Sequence, residues 1–158
     1  MFSIRTILHP TDFSERSDWA FELACALARD HGSRLVIVHV APSQVTVYGE
    51  MVLATPSELT FKELKDRLLR LKGPDLVFVE HRLEEGDPAG EILRVVRDTH
   101  CDLIVMGTHG RRGLSRLLLG SVAEQVMRKA PCPVVTVKTP IAEPVPTPAP
   151  VVPEKVQA

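Results

Sequence analysis

Four glycines, an adjacent arginine pair and a closing serine mark one stretch of this 158-residue chain: Gly107, Gly110, Gly113, Gly120, Arg111, Arg112 and Ser121. The stretch reads GTHGRRGLSRLLLGS and follows the apolar run DLIVM. Glycine admits positive φ and lets backbone N–H groups approach an anion with no side chain in the way. A helix starting at Ser121 adds unpaired N–H donors and the positive end of its dipole. Arg111 and Arg112 bring charge to the same loop. These are the parts of a phosphate cradle built from backbone. A second reading needs no ligand: Ser121-Val122-Ala123-Glu124 is a capping box, and glycines at a strand end can serve turns alone. The two readings are compatible, because a capped helix still offers N–H groups.

A carboxylate stands in another turn, HPTDFS, at Asp12. An acidic residue there repels phosphate and suits sugar hydroxyls, so Asp12 is placed for a ribose, or else caps a turn before Ser14. No GxxxxGK[ST] occurs, which excludes a P-loop, and the GxGxxG fingerprint is missing after the first strand. His109 reads as a loop hydrogen-bonder rather than a catalytic base. His39, within an apolar run, reads as a satisfied buried side chain.

The elements that must position these residues alternate. Short β-branched runs predict strands at 3–9, 33–40, 75–83, 101–107 and 132–137. Helical patterns lie between them at 14–32, 56–73, 87–100 and 121–130. Strands separated by helices predict a parallel sheet covered on both faces. Gly107 then falls at the carboxyl end of the fourth strand, where open α/β sheets bind ligands beside a topological switch point. Ser14 and Gly32 suit the two ends of the first helix, Thr55-Pro56-Ser57-Glu58 offers a cap for the second, and Asp87-Pro88 for the third. Leu64, Leu68 and Leu71 give the second helix one apolar face. The connection 41–54 is unusually long, which marks functional or disordered segments.

A formal net charge of −1 gives no electrostatic case for nucleic acid, and 25% charged with 44% hydrophobic residues is ordinary for a globular domain. No apolar stretch reaches ~18 residues and no signal peptide is visible, so a cytoplasmic location without membrane contact is expected. Cys25, Cys101 and Cys132 lie far apart, with no CxxC or Cys/His cluster, which points to reduced, mostly buried thiols. Six of the thirteen prolines lie beyond position 139. That divides the chain into a domain at 1–139 and an extended, disordered tail at 140–158.

With these motifs in hand, the chain resembles the universal stress protein family over roughly residues 2–138. ILHPTDFSERSDWAFELACALA is similar to the family's opening strand, turn and first helix, and RLVIVHV to its second strand. EEGDPAGEIL resembles its third helix start, and DLIVMGTHGRRGLSRLLLGSVAEQVMRKAPCPVVTV its closing half. The spacing Gly107-x2-Gly110-x9-Gly120-Ser121 matches the signature of the family's ATP-binding branch. The resemblance implies an open, doubly wound, Rossmann-like parallel sheet of five strands in order 3-2-1-4-5. It implies that Asp12 holds a ribose, with Pro10 and Thr11 shaping the turn. Val40 would offer its backbone to adenine, and Met106 and Gly107 would line the base and sugar side. Gly110, Gly120, Ser121 and Val122 would hold the phosphates, with His109 and Arg111 nearby. The ligand implied is ATP, or ADP or AMP, with magnesium held mainly by the phosphates. A homodimer through the last strand, Cys132–Val137, and an unidentified protein partner complete the expectation. The function expected is a nucleotide-binding stress-response module. The alternatives are a slow magnesium-dependent ATPase, an adenylate-forming or pyrophosphatase-type enzyme, and a member that binds no nucleotide and acts through protein contacts.

Overall fold

The structure is a computed structural model that describes residues 3–43, 45–48, 51–54, 60–108 and 120–138. Five strands form one parallel sheet: β1 (Thr6–Pro10), β2 (Arg34–Ala41), β5 (Val79–Glu85), β6 (Leu103–Gly107) and β7 (Val134–Val137). Their order is β5-β2-β1-β6-β7. Counting only these five, that is the expected order 3-2-1-4-5. The remaining two strands, β3 (Val45–Tyr48) and β4 (Met51–Ala54), pair with each other in an antiparallel ribbon. The long connection is therefore a hairpin. Its sequence signal is two β-rich runs, VTVY and MVLA, separated by Gly49-Glu50.

Four helices accompany the sheet among the described residues: α1 (Glu15–His31), α2 (Phe61–Leu69), α3 (Pro88–Asp98) and α4 (Ser121–Lys129). Side chains alternate across each strand, so neighbours enter different cores. Ile7, Leu35, Ile37, Leu103 and Val105 meet α1 through Ala20, Ala24 and Ala28, and α2 through Leu68. Leu8, Val36, Val38, Ile104 and Met106 meet Ile92, Val95 and Val96 of α3 and Ala123 and Val126 of α4. Each buried Leu, Ile or Val contributes roughly 1.5–3 kcal/mol, and the alanines of α1 let that helix lie close to the sheet. This double coverage explains why the central strands are apolar on both faces.

Helix ends follow local chemistry. Ser14 Oγ accepts from Ser17 N at the start of α1, and Gly32 closes it at φ 63°. The Asp87 carboxylate accepts from Gly90 N at 2.8 Å, with Pro88 in the first turn of α3. Two boundaries differ from expectation. The second helix starts at Phe61, where Thr60 and Glu63 form a reciprocal capping box; the Thr55–Glu58 signal lies outside the described residues. The third sheet strand begins at Val79, not near 75. Val77 N bonds Pro74 O at 3.2 Å, and Leu76 takes φ 69°, so a tight turn occupies the first expected strand positions. Leu71 falls beyond α2 yet still packs on the core.

Candidate functional site

The strand order places a switch point between β1 and β6. From β1 the chain proceeds to β2 on one side, whereas β6 and β7 lie on the other. The carboxyl ends of β1 and β6 thus open a crevice. On its β1 side, Thr11 N bonds Val38 O at 2.8 Å, holding the turn against β2. Thr11 Oγ1 is shared with Ser17 Oγ at 3.0 Å and accepts from Phe13 N at 3.0 Å. Asp12 Oδ1 accepts from Ser14 N at 3.0 Å and from Ser14 Oγ at 2.5 Å. The turn-capping role considered for Asp12 is therefore present, and it fixes the half-buried carboxylate at the crevice edge.

Three residues from three elements brace this turn. Phe13 takes φ 61°, which is unusual for a side chain without a local hydrogen-bonding group. Its ring lies 4.4 Å from the His39 ring, and the Arg67 guanidinium sits 4.7 Å from its centre on the other element. Arg67 Nη2 also donates to Phe13 O at 3.3 Å, and His39 Nδ1 bonds Thr11 O at 2.8 Å. His39 is satisfied, as expected, but half-buried. The Phe13–His39–Arg67 set carries no local sequence signal, because the β1–α1 turn, β2 and α2 supply one member each.

On the β6 side, Thr108 N bonds Val137 O at 3.1 Å, and Gly120 N bonds Thr108 O at 2.8 Å. The second bond draws the start of α4 onto the end of β6. Gly120, at φ −61° and ψ 148°, is the N-cap, and Ser121 is the first helical residue. The expected Ser121 capping box is not formed: a residue already inside the helix cannot hold the cap position. Ser121 is instead exposed at the mouth of the crevice. The first-turn N–H groups of a helix have no partner within the helix.

The apolar candidates also converge. Met106 belongs to the core between the sheet and α3–α4, and Val40 and Val122 pack on its margin. Pro10 projects to the same face as Leu8 by strand alternation. The structure thus gathers Pro10, Thr11, Asp12, Val40, Met106, Gly107, Gly120, Ser121 and Val122 around the carboxyl ends of β1, β2 and β6. His109, Gly110 and Arg111 lie outside the described residues. Among the described residues no group of three His, Cys, Asp or Glu could hold a metal, and no helix is long and apolar enough to cross a membrane.

A carboxylate, an apolar wall and a helix start suit a nucleoside phosphate in shape and polarity. Comparison with known proteins bears on that chemistry. The family model described as universal stress protein family matches residues 3–138. A universal stress protein of Methanocaldococcus jannaschii is 36% identical, with 88% of this chain and 85% of that protein covered. The solved universal stress protein UspA from Lactobacillus plantarum superposes with TM-score 0.69 at 25% identity, covering 85% of this chain and 98% of that one. The universal stress protein from Archaeoglobus fulgidus, solved in complex with dAMP, superposes at 0.61 and 21% identity, covering 86% and 98%.

Proposed function

Because the chain belongs to the universal stress protein family, we propose that it is an ATP-binding regulatory module rather than an efficient enzyme. The observation that carries this reading is the 2.8 Å bond from Gly120 N to Thr108 O. It sets the start of α4 beside the crevice that the Asp12 turn borders. In this reading Asp12 accepts from ribose hydroxyls, Val40 and Met106 flank the base, and Gly120, Ser121 and Val122 face the phosphates. Gly110 would hold them too, with His109 and Arg111 nearby, and the phosphates would supply most of the ligands of magnesium. The dAMP bound by the A. fulgidus protein supports an adenine nucleotide as the class of ligand. Binding rather than turnover is favoured because His9 is fully buried and so out of reach of an attacking water. The same reading includes a homodimer through β7 and a cytoplasmic location.

Mass spectrometry of nucleotide released from freshly purified protein tests the proposal. ATP, ADP or AMP at close to one per chain is expected, with magnesium-dependent ATP loss far below the ~10 per second of a typical enzyme. An empty site that also fails to take up added ATP in calorimetry would overturn the binding reading. Turnover near the enzyme rate would overturn the regulatory one.

A further inference from the structure

Cys101 and Cys132 are distant in the chain but adjacent in the fold. β6 and β7 run parallel with Ile104 opposite Val134, and Ile104 N bonds Pro133 O at 3.0 Å. Continued back, that register sets the two cysteines one residue out of step on neighbouring segments. With strands about 4.8 Å apart and a rise of about 3.3 Å per residue, such an offset separates Cα atoms by about 6 Å. Disulfides span roughly 4.4–6.8 Å between Cα atoms. Cys101 is buried in the core between the sheet and α3–α4, and the half-buried Cys132 packs on the same core. The Cys101 Sγ donates to Leu103 O at 3.0 Å, which fixes the position of that sulfur.

We propose that Cys101 and Cys132 form a reversible thiol–disulfide site, oxidised by a hydroperoxide. The two sulfurs have distinct parts. The hydrogen bond it shares with Cys101 pulls the Cys132 thiol below its usual range, so Cys132 is the readier of the two to ionise and the more exposed sulfur. The same partnership, reinforced by burial, pushes Cys101 up, so it stays a thiol. The Cys132 thiolate attacks the terminal peroxide oxygen: an S–O bond forms, the O–O bond breaks, and the alkoxide leaves (hydroxide, for hydrogen peroxide), taking the proton released by the thiol to become an alcohol or water. Cys101 then attacks the sulfenic sulfur. An S–S bond forms, the S–O bond breaks, and the thiol proton departs with the oxygen as water. Two thiols lose two electrons, and hydrogen peroxide becomes two waters. A dithiol reductant reverses the exchange. The closed loop would run from β6 through the glycine-rich stretch and α4, so the bridge would hold the two ends of that whole segment together.

Treating the reduced full chain with a small excess of hydrogen peroxide, then alkylating and mapping peptides without reduction, tests the site. The expected product is lighter by two hydrogens, links the Cys101 and Cys132 peptides, leaves Cys25 alkylated, and regains all three thiols with dithiothreitol. Cys25→Ser should behave as the parent. Cys101→Ser should stop at a Cys132 sulfenic acid that dimedone traps. Three alkylated cysteines after treatment, or a bridge that uses Cys25, would overturn the assignment.

Discussion

His9 is fully buried between β1 and α1, its ring 5.5 Å from that of Phe21. Its Nδ1 lies 2.9 Å from Val105 O. A carbonyl only accepts, so Nδ1 carries the hydrogen and Nε2 is left as an acceptor with no partner among the described residues. Desolvation holds the ring near a pKa of about 4, against an ordinary 6.5, and the Val105 bond and Asp12 charge offset this only in part. As pH falls from 6.5 towards 4, the unfolded chain takes up a proton that the folded one refuses. Stability present above 6.5 is therefore lost across that window and levels off below it. The gap between the two pKa values corresponds to about 3 kcal/mol. Urea unfolding at pH 7 and pH 4.5 measures it against His9→Asn, which keeps an amide donor for Val105. The parent should lose about 2 kcal/mol more than the variant over that interval; equal losses would remove His9 from the acid response.

The start of α4 is where helix capping and ligand binding can be separated. At φ −61° and ψ 148°, Gly120 has a backbone open to any residue. Gly120→Val therefore changes the space ahead of the helix rather than the path of the chain, and should abolish ATP binding while circular dichroism stays unchanged. Ser121→Ala removes a hydroxyl that caps nothing among the described residues. It should cost less than the ~0.5–2 kcal/mol of a true cap loss, and weaken ATP more than adenosine. Asp87→Ala, which does remove a cap, should show that cost in full in thermal melts. Unchanged ATP affinity in both α4 variants would make Gly107 and Gly120 turn residues only. The sheet was legible in sequence because its strands obey a rule that operates within a few residues: apolar on both faces, bounded by capped helices. The start of α2 was not: the helix uses the Thr60–Glu63 capping box, whereas the sequence drew attention to Thr55–Glu58, which lies outside the described residues. Within the site, Asp12 and the Gly120–Ser121 step stood out by residue type. The Phe13–His39–Arg67 brace and the Cys101–Cys132 pair did not, since register and tertiary packing create both.

At the scale of the whole molecule, the two edges of the sheet differ. β5 carries Glu80, Arg82 and Glu84, with Arg82 paired to both carboxylates at 3.3 and 3.0 Å and Arg94 to Glu84 at 2.6 Å. Charges of this kind discourage a further strand. β7 reads VVTV and presents an uncharged edge, with Val135 36% exposed. A second copy of this edge is the partner our functional reading assigns to it. Val135→Glu would set like charges near the pairing axis. Analytical ultracentrifugation should find the parent a dimer and this variant a monomer with the same circular dichroism. A monomeric parent would remove β7 as an interface.

Asp102 accepts from Arg5 N at 2.8 Å and Thr6 N at 2.9 Å, so the segment just before β6 clasps the start of β1, far back in the chain. Ribosomes deliver the chain from its N-terminus at roughly 5–20 residues per second. β1, β2 and β5 therefore emerge first as a three-stranded half at whose edge β1 lies, and β1 waits about 5–20 s from its own synthesis for its second neighbour. Until β6 and Asp102 arrive, that flank of Ile7 and Leu8 is an open, sticky template in the crowded cell. The crevice comes last of all, so on the proposed function a nascent chain would hold no nucleotide until nearly the whole domain has been made.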